Sequence, residues 1–192
     1  MGLFDKLAGK AANQLGNTLK QTIQNAGNKS ERVVFNSLPE TYEQFISLPQ
    51  ASLSTPFQTA AMTVLAFCFY PKDSELCYRM IDFLRGPRPM NGSDKQFIAD
   101  RFRDKDYVPR SYFAGATPNN DYQPVAPYTV ELRENQYTYS VDGMAKLFIP
   151  SGGADDPRPI QLRKAKDGKW YLWEYSSILL GIRQPESANP WA

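Results

Sequence analysis

Apolar residues recur at every fourth position at the start of the chain: Leu3, Leu7, Ala11, Leu15, Leu19 and Ile23. Lys6, Lys10, Asn13, Asn17, Lys20 and Gln21 lie between them. This spacing predicts an amphipathic helix over residues 3–23. Its stripe is narrow, and it drifts around the helix because four residues overshoot a 3.6-residue turn. Gly9 and Gly16 each weaken such a helix by up to ~1 kcal/mol, so it needs a surface to fold against. The run Asn25-Ala26-Gly27-Asn28-Lys29-Ser30 reads as a linker. Residues 1–30 are therefore expected to be an appended helix with its linker, and residues 31–192 a single domain.

Residues 37–104 carry helical patterning. A short helix is expected through Tyr42, Phe45 and Ile46, stopped by Pro49. Ser54-Thr55-Pro56 opens the most apolar helix, Phe57 to Tyr70, with proline suited to the first turn. Asp73 caps the next, Glu75 to Leu84, with Leu76, Met80, Ile81, Phe83 and Leu84 as its buried side. A loop follows at 85–92. Ser93 and Gln96 form a capping box for a helix through Phe97, Ile98 and Phe102.

After Tyr107 the period shortens to two. Arg110–Ala114 is expected as a short strand. Tyr128, Val130 and Leu132 alternate with Thr129, Glu131 and Arg133, and Tyr137, Tyr139 and Val141 alternate with Thr138 and Ser140. Asp142-Gly143 then reads as a hairpin turn into Met144–Ile149. The last hairpin, Arg158 to Tyr175, is closed by Asp167-Gly168, a pair suited to a two-residue turn. That turn pairs Arg163 with Leu172, Leu162 with Trp173 and Ile160 with Tyr175. One face then holds Ile160, Leu162, Tyr171, Trp173 and Tyr175 and is expected as core; the other holds Arg163, Trp170, Leu172 and Glu174. The predicted class is α+β: a helical N-terminal half packed on a C-terminal antiparallel meander of four or five strands.

The chain contains no histidine and two cysteines, Cys68 and Cys77. It therefore lacks the commonest general base and metal ligand, and with them the Ser-His-Asp and Cys-His arrangements. Two thiols without a CxxC make no zinc site, and a buried free thiol is the expected state of Cys68. No metal and no cofactor are expected. The net charge of +2 is too small to imply a nucleic-acid partner. The arginines Arg79, Arg85, Arg88, Arg101, Arg103 and Arg110 are interleaved with aspartates, which points to surface ion pairing. Met1-Gly2-Leu3-Phe4-Asp5-Lys6 has neither a leader's apolar core nor a myristoylation pattern, and the apolar run Ala60–Tyr70 is too short to span a bilayer, so a cytoplasmic protein is expected. Ser151-Gly152-Gly153 lacks the spacing of a phosphate loop, and Asp155-Asp156 lacks the later ligands of a calcium loop.

The stretch RPIQLRKAKDGKWYLWEYSSILLGIR resembles the C-terminal signature of an uncharacterised bacterial domain-of-unknown-function family. The resemblance implies no activity and carries over no site residues. The order of helices followed by a meander is also similar to the NTF2-like architecture.

Without a catalytic constellation, the expected function is a non-catalytic interaction or binding module. Its candidate binding face is Arg163, Trp170, Leu172 and Glu174, with Arg163 and Glu174 as a diagonal cross-strand pair. Its candidate docking helix presents Leu3, Leu7, Leu15, Leu19 and Ile23 to a protein partner or to a second copy. A small-molecule-binding NTF2-like domain or histidine-independent enzyme is the first alternative. Attachment of residues 3–23 to a membrane surface is the second.

Overall fold

The computed structural model describes residues 29–191. The docking-helix residues Leu3, Leu7, Leu15, Leu19 and Ile23 lie outside them. The described chain is α+β. Five antiparallel strands, β1 (Ser30–Phe35), β2 (Tyr128–Arg133), β3 (Met144–Ile149), β4 (Arg158–Lys164) and β5 (Trp170–Glu174), form one sheet in sequence order, so β1 and β5 are its edges. The helices are α1 (Tyr42–Ile46), α2 (Pro56–Phe67), α3 (Ser74–Arg85) and α4 (Gly92–Phe102).

The fold is organised by α2. Every one of its residues except Gln58 is buried, and it contacts all five strands. An all-round apolar helix can only be a core helix in a water-exposed domain. Thr55 and Gln58 cap it reciprocally, and Pro56 occupies its first turn. The polar atoms it carries inward are satisfied: Thr63 donates to the Thr59 carbonyl at 2.8 Å, and Thr59 donates to the Trp170 carbonyl at 2.6 Å. The Trp170 N–H in turn donates to the Leu53 carbonyl at 2.8 Å. These two bonds occupy backbone groups of edge strand β5 that would otherwise be a template for a foreign strand. The core face of the sheet is Val33, Phe35, Val130, Leu132, Ala145, Leu147, Ile149, Ile160, Leu162 and Leu172, all buried.

Four local expectations are corrected. First, the chain around the expected linker end at Ser30 is a strand: β1 pairs along its whole length with β2. Second, Tyr137–Val141 is no strand: it lies in the β2–β3 connection, and Tyr137, Tyr139 and Val141 are exposed. The buried member there is Thr138, whose hydroxyl accepts from the Asn135 N–H at 2.9 Å and whose carbonyl accepts from Lys146 at 2.9 Å. Third, Arg110–Ala114 is mostly a 3-10 turn, Pro109–Tyr112, with a lone bridge from Phe113 to Val130. Fourth, α4 is capped two residues earlier than expected, by Asn91 and Asp94.

The last hairpin exists, but its turn is one residue longer than expected. Ala165 and Lys169 close it, so Lys166, Asp167 and Gly168 form the loop, with Gly168 at φ +83°. This is the three-residue loop with a left-handed glycine. It pairs Leu162 with Leu172 and Arg163 with Tyr171. A register shift between Gln161 and Leu162 then returns Gln161 to Glu174. The extra residue is Trp173, so β5 is bulged there. The bulge lets Leu172 and Tyr175, three residues apart, both turn into the core. Of the expected core face, Ile160, Leu162 and Tyr175 are buried, whereas Tyr171 and Trp173 are only partly covered. No described helix is long and apolar enough to cross a membrane.

Candidate functional site

The outer side of the bulged strand meets the α3–α4 loop. Helix α3 ends at Gly86, whose φ of +54° favours glycine. A Cβ at Gly86 would come within 2.2 Å of the Tyr171 ring, so glycine is also what allows the helix end to reach β5. The loop is pinned on both sides. Arg85 donates through Nε to the Arg88 carbonyl at 2.9 Å, and the Met90 N–H donates to Asp82 Oδ1 at 2.7 Å. Pro87 and Pro89 flank Arg88 and fix their own φ angles, stiffening the segment that displays it.

Arg85 is the buried charge of this region. Its side chain is 3% exposed, and Nη1 lies 3.1 Å from Asp94 Oδ2. The same carboxyl oxygen accepts the Asn91 N–H at 3.0 Å and so caps α4. Burial of a guanidinium is tolerated only with such a partner, and here the partner ties α3 to α4. Burial first, and the Asp94 charge second, push the neighbouring Tyr175 up to about 12, with Arg85 opposing them.

Arg88 and Arg163 are arranged differently. Both are exposed, and both guanidinium carbons lie over the indole of Trp173, at 4.5 Å and 4.6 Å. Among the described residues neither is within ion-pair distance of a carboxylate. They line an open cleft of about 180 Å³ with Arg85, Pro87, Lys164, Ala165, Tyr171, Leu172 and Trp173. No carboxylate lines it. Tyr171 closes one side, its hydroxyl donating to Asp167 Oδ2 at 2.7 Å. Burial first, and Asp167 second, push Tyr171 up to about 12; the hydrogen bond from Tyr171 holds the Asp167 carboxyl below its usual range. A second cavity of about 200 Å³ shares Arg85, Arg88 and Trp173 and adds Asp94, Phe97, Glu174 and Ser176.

The structure divides the sequence-derived face. Arg163 and Glu174 are both exposed and lie on the outer side, but they make no ion pair; Glu174 accepts the Ser176 N–H at 2.7 Å instead. Leu172 is 1% exposed and points into the core, although an edge of it reaches the cleft. Trp170 is partly buried beside Tyr139, with ring centroids 6.4 Å apart, and does not line the cleft. Its place is taken by Trp173, which the two-residue turn had assigned to the core. Arg88, expected among the ion-pairing surface arginines, makes no ion pair among the described residues, and Gly86 beside it is expected only as loop. The signal for them was Gly86-Pro87-Arg88-Pro89 itself, a stiff loop presenting one arginine.

The 180 Å³ cleft offers cations, aromatic faces and one phenol, that of Tyr171, hydrogen-bonded to the Asp167 carboxylate. Among the described residues, no group of three or more His, Cys, Asp or Glu is placed to hold a metal ion. Cys68 and Cys77 are both free, and burial pushes the Cys68 thiol up to about 12 and Cys77 in the same direction, away from nucleophilic use.

No curated protein and no solved structure matches the chain. A family model described as Domain of unknown function (DUF6935) matches residues 37–186, and the chain belongs to that family.

Proposed function

We propose that this chain is a non-catalytic cytoplasmic binding module whose recognition surface is the Arg88–Trp173–Arg163 cleft and whose partner carries negative charge. The observation that supports it is the pair of guanidinium groups held on one indole without carboxylate partners among the described residues. Stacked arginines keep their N–H edges available for a planar or tetrahedral oxyanion. Every residue of the cleft falls within the span matched by the family model. In the same reading, residues 3–23 dock the module on a protein partner or a second copy through their apolar stripe.

The test is a thermal-shift panel of small anions, cations and neutral compounds on wild type and on the R88A/R163A double variant. Anions are expected to raise the Tm of wild type and to lose that effect in the variant. Stabilisation that is confined to neutral or cationic compounds, or that survives in the variant, rejects the cleft as the recognition surface. Deleting residues 1–28 and comparing solution mass and liposome co-sedimentation tests the docking helix: reduced mass supports a protein contact, and lost sedimentation at unchanged mass rejects it for a membrane.

A further inference from the structure

We propose that the cleft is a phosphate-monoester site, an inference that rests on the reading of this surface as an anion-recognising module. Across the described residues, two of the cations that line a cavity are already matched by carboxylates. Arg183, which lines an open concavity of about 440 Å³, is 2.8 Å from Asp155, and Arg85 is held by Asp94. Arg88 and Arg163 line the 180 Å³ cleft with no such partner, and no carboxylate contributes to its lining; Lys164 borders it too, but its ammonium lies 5.8 Å from the ring centroid of Trp170, outside the cleft.

Two unpartnered guanidinium groups on one small cleft match a dianion better than a single carboxylate. A phosphate monoester carries about −1.5 to −2 at pH 7 and three acceptor oxygens, enough to take the edges of two guanidinium groups. Size points the same way. Sites for drug-sized ligands run to roughly 300–1,000 Å³, so this one suits a single charged group with a small organic body. That body has a place: Pro87, Ala165, Leu172 and Tyr171 give the lining its apolar part. Asp94 and Glu174 stand in the adjoining cavity and disfavour an anion there, which directs it to the side lined by Arg163 and Lys164. The Pro87-Arg88-Pro89 segment and the indole platform hold the arginines in place before the ligand arrives, lowering the ordering cost of binding.

The chain also makes the charge state of the ligand readable. It has no histidine, the side chain whose unperturbed titration falls between pH 5 and 8. The charged groups facing the cleft and its neighbour are Arg85, Arg88, Arg163, Lys164, Asp94, Glu174 and, through Tyr171, Asp167. A pH dependence of binding near pH 6 therefore reports the second ionisation of the phosphate, at about 6.

The experiment is calorimetry on the full chain with phenyl phosphate, phenyl sulfate and benzyl alcohol at pH 5.5, 6.5 and 7.5. Phenyl phosphate is expected to bind, and to tighten several-fold as the pH rises. Phenyl sulfate, a monoanion throughout, should bind more weakly and show no slope, and benzyl alcohol should not bind. R88K/R163K, which keeps the charge but loses the fork, and R163A should each weaken phenyl phosphate by about tenfold or more. Near-UV circular dichroism of each variant establishes that it is folded. Equal, pH-independent binding of the phosphate and sulfate esters would overturn the phosphate assignment and leave the anion module standing. Absence of any anion binding overturns both. A phosphoserine peptide set against its unmodified form identifies the source: tighter binding than phenyl phosphate places the group on a protein side chain, and equal binding places it on a free ester.

Discussion

The two faces of the β4–β5 hairpin share one backbone and carry opposite loads. Inward, Ile160, Leu162, Leu172 and Tyr175 lock the sheet edge to α2, and all are buried. Outward, Arg163, Tyr171 and Trp173 leave surface open beside Gly86 and Arg88. A regular strand puts neighbours on opposite faces, so it cannot supply Leu172 and Tyr175 to one side. The bulge at Trp173 does. The extra residue that completes the core is the indole on which the cleft is built, so packing and recognition meet at one backbone irregularity. Such bulges occur where a side chain must be re-aimed at a strand edge.

The sharpest way to break this division is to attack the inward face. Leu172→Ala is expected to cost ~2–5 kcal/mol in urea denaturation, because it leaves a cavity beneath α2. A loss below ~1 kcal/mol would return Leu172 to the outer face and restore the two-residue turn. Next comes the seam between the faces. Gly86→Ala puts a methyl group against the Tyr171 ring at a left-handed φ and should cost roughly 1–3 kcal/mol. Combined with Tyr171→Ala, part of that loss should be recovered, and a strictly additive double mutant would argue against the contact. The outward face should be cheaper. Trp173→Ala removes two cation–π contacts and partial burial, for about 1–2 kcal/mol, well short of the ~3–5 expected of a core aromatic.

Much of this was legible in the chain, and apart from the α4 cap, where Asn91 and Asp94 outcompete Ser93 and Gln96, the failures share a cause. The Thr55–Pro56 and Asp73 caps, the apolar run of α2 and the alternation of β2 are local signals, and local geometry answers them. Pairing is not local. Asp142-Gly143 and Asp167-Gly168 are the same dipeptide, with both glycines at positive φ. Only the second closes a hairpin. Before the first, the alternating Tyr137, Tyr139 and Val141 find no strand to pair with: β1 lies along one side of β2, and β3 reaches it only at Arg133. Turn length had a larger effect. Reading two residues instead of three shifts the register by one near the turn, and a shift of one exchanges the faces. That is why Trp173 and Leu172 traded places while Ile160, Leu162 and Tyr175, beyond or opposite the bulge, kept theirs. The cleft needed a contact between residues 86–88 and 171–173, for which one sequence holds no periodic signal.

The smallest effect gives the finest reading of the comparison. Arg88 and Arg163 both lie within 5 Å of the Trp173 ring centroid, at 4.5 and 4.6 Å. They are therefore within about one Debye length of each other, ~8–10 Å at 0.1–0.15 M salt, and their charges repel. Opposing that repulsion are two exposed cation–π contacts of ~0.5–1 kcal/mol each. Lys164 adds to the positive field. In R88A/R163A the lost stacking and the relieved repulsion offset one another, so stability should change by no more than ~1 kcal/mol in either direction. The salt dependence separates the two contributions. Wild type should gain slightly on wild-type-minus-variant stability as salt rises from 0.02 to 0.5 M, because screening removes the repulsion and leaves most of the stacking. A stability gap that instead shrinks with salt would mean that these arginines are held by attraction to a carboxylate, and the outward face would then be structural like the inward one.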